Sequence, residues 1–478
     1  MSQPQPPAWL NPPSERRQGE RRASADRRAQ PARRAAARRA PAAGSETAER
    51  RSQAERRSQS ERRGQAERRS RSERRAVRRR RAAQPPGVAE RRYLLVATIL
   101  LLIYGLVMAY SASSAKAYFA YGTSWYLFER QLVYALVGVV AMFVVARVDY
   151  TWWRRLALPL ALFVGLLLMA VLVPGIGSQI NGARRWIIVG GQSVTPSEFA
   201  KIAAVMLVAA LIAERPADVL RGRGFLRLFA VGVIPAGGLI MLEPDLGTTM
   251  VLTLAVVAVL LAAGARLRHL VTLGMAGALT VLALIVVEPY RMQRLTAFVD
   301  PWRDPTGPGM QTVQSLISIA SGRIFGVGLG NSIQKFGYLP EQTTDSITGI
   351  IGEELGLLGV LALIGFYVFL AWAGYRIALS CRELFGKLLA TGIVTAIVGQ
   401  AFINIAGALG LLPLTGIPLP LVSLGGTSLL VVLIGIGIVA NIATNRRSYI
   451  VVSPERRSSA HRRRRDGRAH DARPRSRG

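Results

Sequence analysis

The sequence predicts an all-α polytopic membrane protein: about ten transmembrane helices, a large extracytoplasmic loop between helices 7 and 8, and disordered basic cytoplasmic tails. Three observations lead there. Half of the 478 residues are hydrophobic while the formal net charge is +33, so apolar and charged residues must occupy different stretches. Residues 1–92 and 445–478 are arginine-rich and nearly free of large apolar side chains, whereas 93–444 is a succession of apolar runs near the ~20 residues that cross a bilayer. That succession is interrupted once, by the long polar stretch 289–346.

Taken in order, the apolar runs lie near 93–111, 131–146, 156–173, 198–213, 225–241, 247–264, 270–288, 347–375, 388–410 and 427–444. Some ninety polar residues precede the first, and Arg91 and Arg92 abut Tyr93, so a retained first helix is expected rather than a cleaved signal peptide. Alternate connections carry Arg147, Arg154 and Arg155; Arg215, Arg221 and Arg223; Arg266 and Arg268; and Arg376, Arg382 and Lys387. The connections near 242–246 and 411–426 have no Lys or Arg. This asymmetry orients the chain with both tails in the cytoplasm and 289–346 outside.

The amino-terminal tail repeats Glu-Arg-Arg every six residues from Glu49 to Arg75 and ends in the run Arg78 to Arg81. A period of six gathers no apolar face on a helix or a strand, so the tail is expected to be disordered. Its charge suits anionic inner-leaflet lipid, at ~1 kcal/mol for each arginine near the surface. A specific acidic protein is the alternative ligand. Without interleaved aromatic residues, nucleic acid is not the expected partner.

Chemistry is sought among ionisable groups on the outer side, because charge beside a bilayer is costly and tends to mark function. His461 and His470 lie in the carboxy-terminal tail, His269 at a cytoplasmic helix end, and Cys381 is the sole cysteine. An outward-facing Ser-His-Asp triad, cysteine nucleophile or histidine-ligated metal site therefore has no material. What remains is a set of carboxylates: Asp245, Asp300, Asp304, Glu341 and Asp345, with Glu198, Glu243, Glu353 and Glu354 near the boundary or inside. Asp345 stands where the polar stretch meets a helix beginning near Ser346. It can be that helix's N-cap, a general base facing both water and lipid, or both. Arg291 and Arg294 would share one helix face, either snorkelling at the interface or binding phosphate.

Other motifs carry weaker messages. Gly326, Gly328 and Gly330 are spaced like a phosphate loop but lack the following lysine, so tight packing or a hinge is the expected role. Thr195-Pro196-Ser197-Glu198 reads as a capping box with Pro at the first helical position. Lys201, one turn beyond Glu198, is expected to pair with it, either to stabilise the helix or to line a polar cavity. Glu353 and Glu354 cannot both share the face of Asp345, since successive helical residues turn by ~100°.

Several of these words resemble, in order, the FtsW/RodA family of SEDS peptidoglycan glycosyltransferases. They are Asn181-Gly182-Ala183-Arg184-Arg185-Trp186, Pro196-Ser197-Glu198 with Lys201, Glu243-Pro244-Asp245-Leu246-Gly247-Thr248, Tyr290-Arg291 with Arg294, Asp300-Pro301-Trp302, and Pro340-Glu341 followed by Asp345. Glu243 replaces the family's Gln, and Thr343 and Ser346 stand where it usually has His and Phe, which puts the local support of Asp345 in question. Gly330-Asn331-Ser332-Ile333-Gln334-Lys335 is most like the FtsW branch, while Gly416-Ile417-Pro418-Leu419-Pro420 leans towards RodA. The resemblance implies a lipid II polymerase on the outer face of the cytoplasmic membrane, working by inverting β-1,4 transfer with release of undecaprenyl diphosphate in septal wall synthesis. It makes Asp345 the catalytic base and Arg291, Arg294, Lys201, Glu198 and Glu341 the substrate-binding residues. It implies a class B penicillin-binding transpeptidase and other divisome proteins as partners, and no residue is assigned as a metal ligand. A divalent cation, Mg or Mn, is one way to meet the diphosphate charge. A RodA-like elongation polymerase, a lipid II flippase and a non-catalytic division scaffold are the alternatives.

Overall fold

The computed structural model describes residues 87–180, 183–287, 292 and 296–445. The tails and the arginine repeat lie outside these residues. Eight helices among those described are long and apolar enough to cross a membrane. They are α1 (Val88–Tyr121), α2 (Tyr126–Val145), α3 (Thr151–Leu172), α4 (Pro196–Glu214), α5 (Gly222–Leu242), α9 (Ile347–Ser380), α10 (Leu384–Ala408) and α11 (Gly426–Thr444). The two remaining predicted runs fall on α6 (Leu246–Ala262), shorter at 17 residues, and α7 (Leu267–Val287). The protein is a multi-pass helical membrane protein.

Burial sorts the helices. α10 and α11 are covered along most of their length and form the centre of the bundle, whereas α2 and α3 expose Val140, Leu162 and Leu166 as an apolar outer face. Small residues set the central spacing, since a Cβ on Gly437 of α11 would fall 2.5 Å from the Met142 carbonyl of α2.

Three features depart from the sequence expectation. First, α1 runs on to Tyr121 rather than stopping near 111, and ends at Gly122, whose φ of 73° and N–H bond of 2.9 Å to the Tyr118 carbonyl close the helix. Second, the chain is not purely α. Between α3 and α4 lies an antiparallel sheet of β1 (Gly177–Ile180), β2 (Ala183–Val189) and β3 (Gln192–Val194). The β-branched run Ile187-Ile188-Val189 and the Gly190-Gly191 turn, both glycines at positive φ, account for the β2–β3 hairpin. Third, the polar stretch 289–346 contains α8 (Met310–Ser321), which packs on α9 with Ser318 Oγ donating to the Gly349 carbonyl at 2.8 Å.

α9 is broken at Gly356, whose φ of 66° and ψ of −162° are not helical. Backbone from the polar stretch fills the break: Val327 and Gly328 N–H donate to the Glu353 and Glu354 carbonyls at 2.9 and 3.0 Å. Leu357 and Leu358 N–H donate to the Arg323 and Ile324 carbonyls at 2.9 and 3.2 Å. Within a membrane protein a broken helix persists where such partners satisfy its backbone. Gly326 permits the contact, because a Cβ there would lie 2.1 Å from the Glu354 carbonyl. Of the three spaced glycines Gly326 is thus tight packing, one of the expected roles, while Gly328 and Gly330 supply backbone turns at positive φ.

Candidate active site

The helix ends nearest the polar stretch enclose a cavity of about 830 Å³. Its walls come from the end of α1, the start of α2, β2, the starts of α4 and α11, and the segments around 244–248, 341–345 and 415–418. Four carboxylates line it, Glu198, Asp245, Glu341 and Asp345, together with three cations, Lys116, Arg130 and Arg185.

Asp345 is presented by a strained turn. Glu341, at φ 49°, occupies the left-handed region, and its carbonyl accepts from both Thr344 and Ser346 N–H at 3.1 Å. The turn is held from outside. Asn404 of α10 donates to the Asp345 carbonyl at 2.8 Å and to the Ile417 carbonyl at 2.8 Å, while Thr348 Oγ1 donates to Asn404 Oδ1 at 3.0 Å. Leu424 N–H reaches the Thr343 carbonyl at 2.9 Å, and Ser423 Oγ donates to the Thr344 carbonyl. The half-buried Asp345 side chain is therefore set on the cavity wall by its backbone. It is not the N-cap: α9 begins at Ile347 with Ser346 in that place.

The expected capping box on α4 does not form. The Thr195 side chain makes no cap bond, and its N–H donates instead to Thr427 Oγ1 of α11 at 3.3 Å. Glu198 is thereby left to accept from Lys201 Nζ at 2.9 Å. Lys201 also donates to Gln400 Oε1, and Gln400 Nε2 donates to the Pro418 carbonyl at 2.8 Å. Glu198 lines the cavity; Lys201, 4 % exposed, lies behind it and does not. The sequence pairing is as expected, but Lys201 sits as a support for Glu198.

Arg185 closes another wall. Its Nε donates to the Glu243 carbonyl at 3.0 Å, a second nitrogen donates to the Pro244 carbonyl, and Nη1 lies 3.9 Å from Asp245 Oδ1. Asp245 caps α6, accepting from Thr248 N–H at 3.1 Å and Thr248 Oγ1 at 2.8 Å. Glu243 is fully buried and neither carboxyl oxygen has a hydrogen-bond partner among the described residues. Burial, reinforced by nearby Asp245 and opposed by Arg185, pushes its carboxyl up to about 8. At neutral pH it is mainly a neutral acid, close in character to the amide it replaces.

Arg291 and Arg294 lie outside the described residues. Two cavity cations escaped the sequence reading. Lys116 stands on the part of α1 beyond the expected span, and Arg130, at the start of α2, donates to Gln192 Oε1 at 2.9 Å alongside the Tyr134 hydroxyl at 2.6 Å. The available signal was a single lysine after a long uncharged run. Glu353 and Glu354, by contrast, lie away from the cavity and anchor the polar stretch. Glu354 accepts from Ser111 Oγ of α1 at 2.6 Å and lies 3.7 Å from Lys335 Nζ, while Glu353 accepts from Ile333 N–H at 3.0 Å and from Ser332 Oγ. Among the described residues no three His, Cys, Asp or Glu side chains converge closely enough to cage a metal ion.

A helical membrane protein with a cavity of mixed charge at one end of its bundle is the class these features define. The chain belongs to the FtsW/RodA/SpoVE family, whose profile, described as cell cycle protein, matches residues 91–448. It is 41% identical over 355 residues to stage V sporulation protein E of Bacillus subtilis, covering 74% of this chain and 97% of that one. It is 43% identical over 352 residues to the probable peptidoglycan glycosyltransferase FtsW of Trichlorobacter lovleyi, covering 73% and 92%. Among solved structures, one described as structural coordination of polymerization and crosslinking by a peptidoglycan synthase complex matches with TM-score 0.63 and 31% identity, over 74% of this chain and 97% of that chain. The rod shape determining protein RodA of Thermus thermophilus matches with TM-score 0.55 and 28% identity, over 75% and 97%.

Proposed function

We propose that this protein is a peptidoglycan glycosyltransferase that polymerises lipid II, with Asp345 as general base. The observation that carries the proposal is the joint lining of one cavity by the Asp345 carboxylate and the cations Lys116, Arg130 and Arg185. The acceptor sugar's 4-hydroxyl gives its proton to Asp345 as its oxygen bonds the donor's anomeric carbon. The anomeric C–O bond breaks on the opposite face, inverting that carbon, and the electron pair leaves with undecaprenyl diphosphate. The leaving group's charge is met by cations, for which Arg185 joins Arg291 and Arg294 as a candidate. A divalent cation would bind through the substrate's phosphates and one or two carboxylates, the arrangement magnesium favours.

The finer assignments rest on likeness. The relatives named FtsW support a role in septal synthesis, and the excess of Lys and Arg in alternate connections supports a cytoplasmic-membrane protein with the loop end facing outward and both termini cytoplasmic. The peptidoglycan synthase complex among the structural neighbours supports a class B penicillin-binding transpeptidase as partner. The test is polymerisation of labelled lipid II by the purified protein with its transpeptidase, wild type against Asp345→Asn at matched folding. Glycan ladders from the wild type alone are expected. Equal ladders from both would remove Asp345 from the mechanism, and none from either, with a folded complex, would favour the flippase or scaffold.

A further inference from the structure

A second groove, about 520 Å³, opens beside the cavity, and Lys116, Ala120 and Glu341 border both. Its volume lies within the ~300–1,000 Å³ of small-ligand sites. Two phenylalanines from different parts of the chain line it, Phe119 at the end of α1, 76 % exposed, and Phe336 in the polar stretch, 58 % exposed. Two rings facing one open groove give a ligand two apolar faces to pack against. Lys335 also lines the groove, but its charge is taken by Glu354 and the Gly330 carbonyl. Lys116 is exposed and makes no ion pair among the described residues, so it is the cation the groove offers.

We infer that this groove holds the glycan strand behind its reacting end, with pyranose rings against Phe119 and Phe336 and a stem-peptide carboxylate at Lys116. The inference rests on the polymerase reading. Continuity selects the occupant: the groove shares Lys116, Ala120 and Glu341 with the cavity, so a polymer made in the cavity leads directly into it. Aromatic faces suit the C–H-rich faces of sugars, and a lone ammonium suits a carboxylate. Keeping the strand bound between additions is what a processive enzyme requires.

The experiment compares wild type with the double variant Phe119→Ala, Phe336→Ala, measuring strand-length distribution at equal lipid II consumption. Strands at least about threefold shorter from the variant are expected; an unchanged distribution overturns the inference while leaving the polymerase reading intact. Should the variant make no polymer, binding of lipid-free glycan strands to both proteins decides, weaker binding by the variant supporting the groove and equal binding overturning it. If the variant keeps its strand length but loses its transpeptidase partner, the rings are a protein contact and the inference fails. Absence of polymer from the wild type would instead strike the polymerase reading itself.

Discussion

Lys201 Nζ lies 2.9 Å from Glu198 Oε2, and of the two only Glu198 faces the cavity. The lysine is buried behind the glutamate with Gln400 as its other partner, so the pair presents one supported carboxylate to the cavity. Removing one member of such a pair leaves an unpaired buried charge, at ~3–5 kcal/mol. Lys201→Ala is expected to lower the melting temperature in detergent markedly. Lys201→Met combined with Glu198→Gln, which removes both charges, is expected to recover much of the loss. A double variant no more stable than Lys201→Ala would show the pairing to be unimportant.

Asn404 predicts a loss confined to the turn. Its amide donates to the Asp345 and Ile417 carbonyls, so Asn404→Ala leaves two acceptors without that donor, at ~1–3 kcal/mol for each group that stays buried and unpaired. Because the Asp345 carboxylate would remain but lose its fixed position, turnover of lipid II should fall at least tenfold while the Michaelis constant moves little. A rise in the Michaelis constant with unchanged turnover would contradict a positioning role.

Glu243 predicts a pH dependence of stability. Its folded carboxyl titrates near 8 against an ordinary value of 4.5. Below the ordinary value both folded and unfolded chains are protonated and no difference arises. As pH rises towards 8 the unfolded chain releases the proton while the folded one keeps it, so stability falls through that window. Thermal unfolding between pH 5 and 9 should show a steeper decline for wild type than for Glu243→Gln, which should retain polymerase activity. Parallel curves would mean the carboxyl is not held protonated.

Gly356→Ala tests the filled break in α9. The residue needs φ 66°, and a Cβ would lie 2.4 Å from Gly326 N. With ψ at −162° this is a backbone region open essentially to glycine alone, and the strain of a side chain there is ~1–3 kcal/mol. The clash adds to it by displacing 323–328. Limited proteolysis should cut the 322–335 segment faster in the variant than in wild type, and equal rates would count against the docked arrangement.

Hydropathy made the helices legible because ~20 apolar residues in a row have few other uses, and each predicted run falls on a helix. The end of α1 was missed because its last turns, including Lys116 and Tyr121, leave the apolar run and hydropathy cannot follow a helix there. The sheet was missed because strands of three to seven residues give a weak signal beside such helices. At the site, the position of Asp345 at a helix start and the spacing of Glu198 and Lys201 were visible in the chain. Which of that pair faces the cavity was not, because it depends on Gln400 and Pro418, some two hundred residues away. Nor could local pattern show that Thr427 would take the Thr195 N–H and replace the capping box.

The stretch from Arg323 to Asp345 is a handle with both feet on one helix. One foot is planted in the break at Gly356, the other runs directly into the first turn at Ile347, and Glu353 and Glu354 strap the arch down between them. Because Leu357 and Leu358 beyond the break bond to Arg323 and Ile324 while Val327 and Gly328 bond to Glu353 and Glu354 before it, the arch is tied to both pieces of α9, and Asp345 shares its mount with the break.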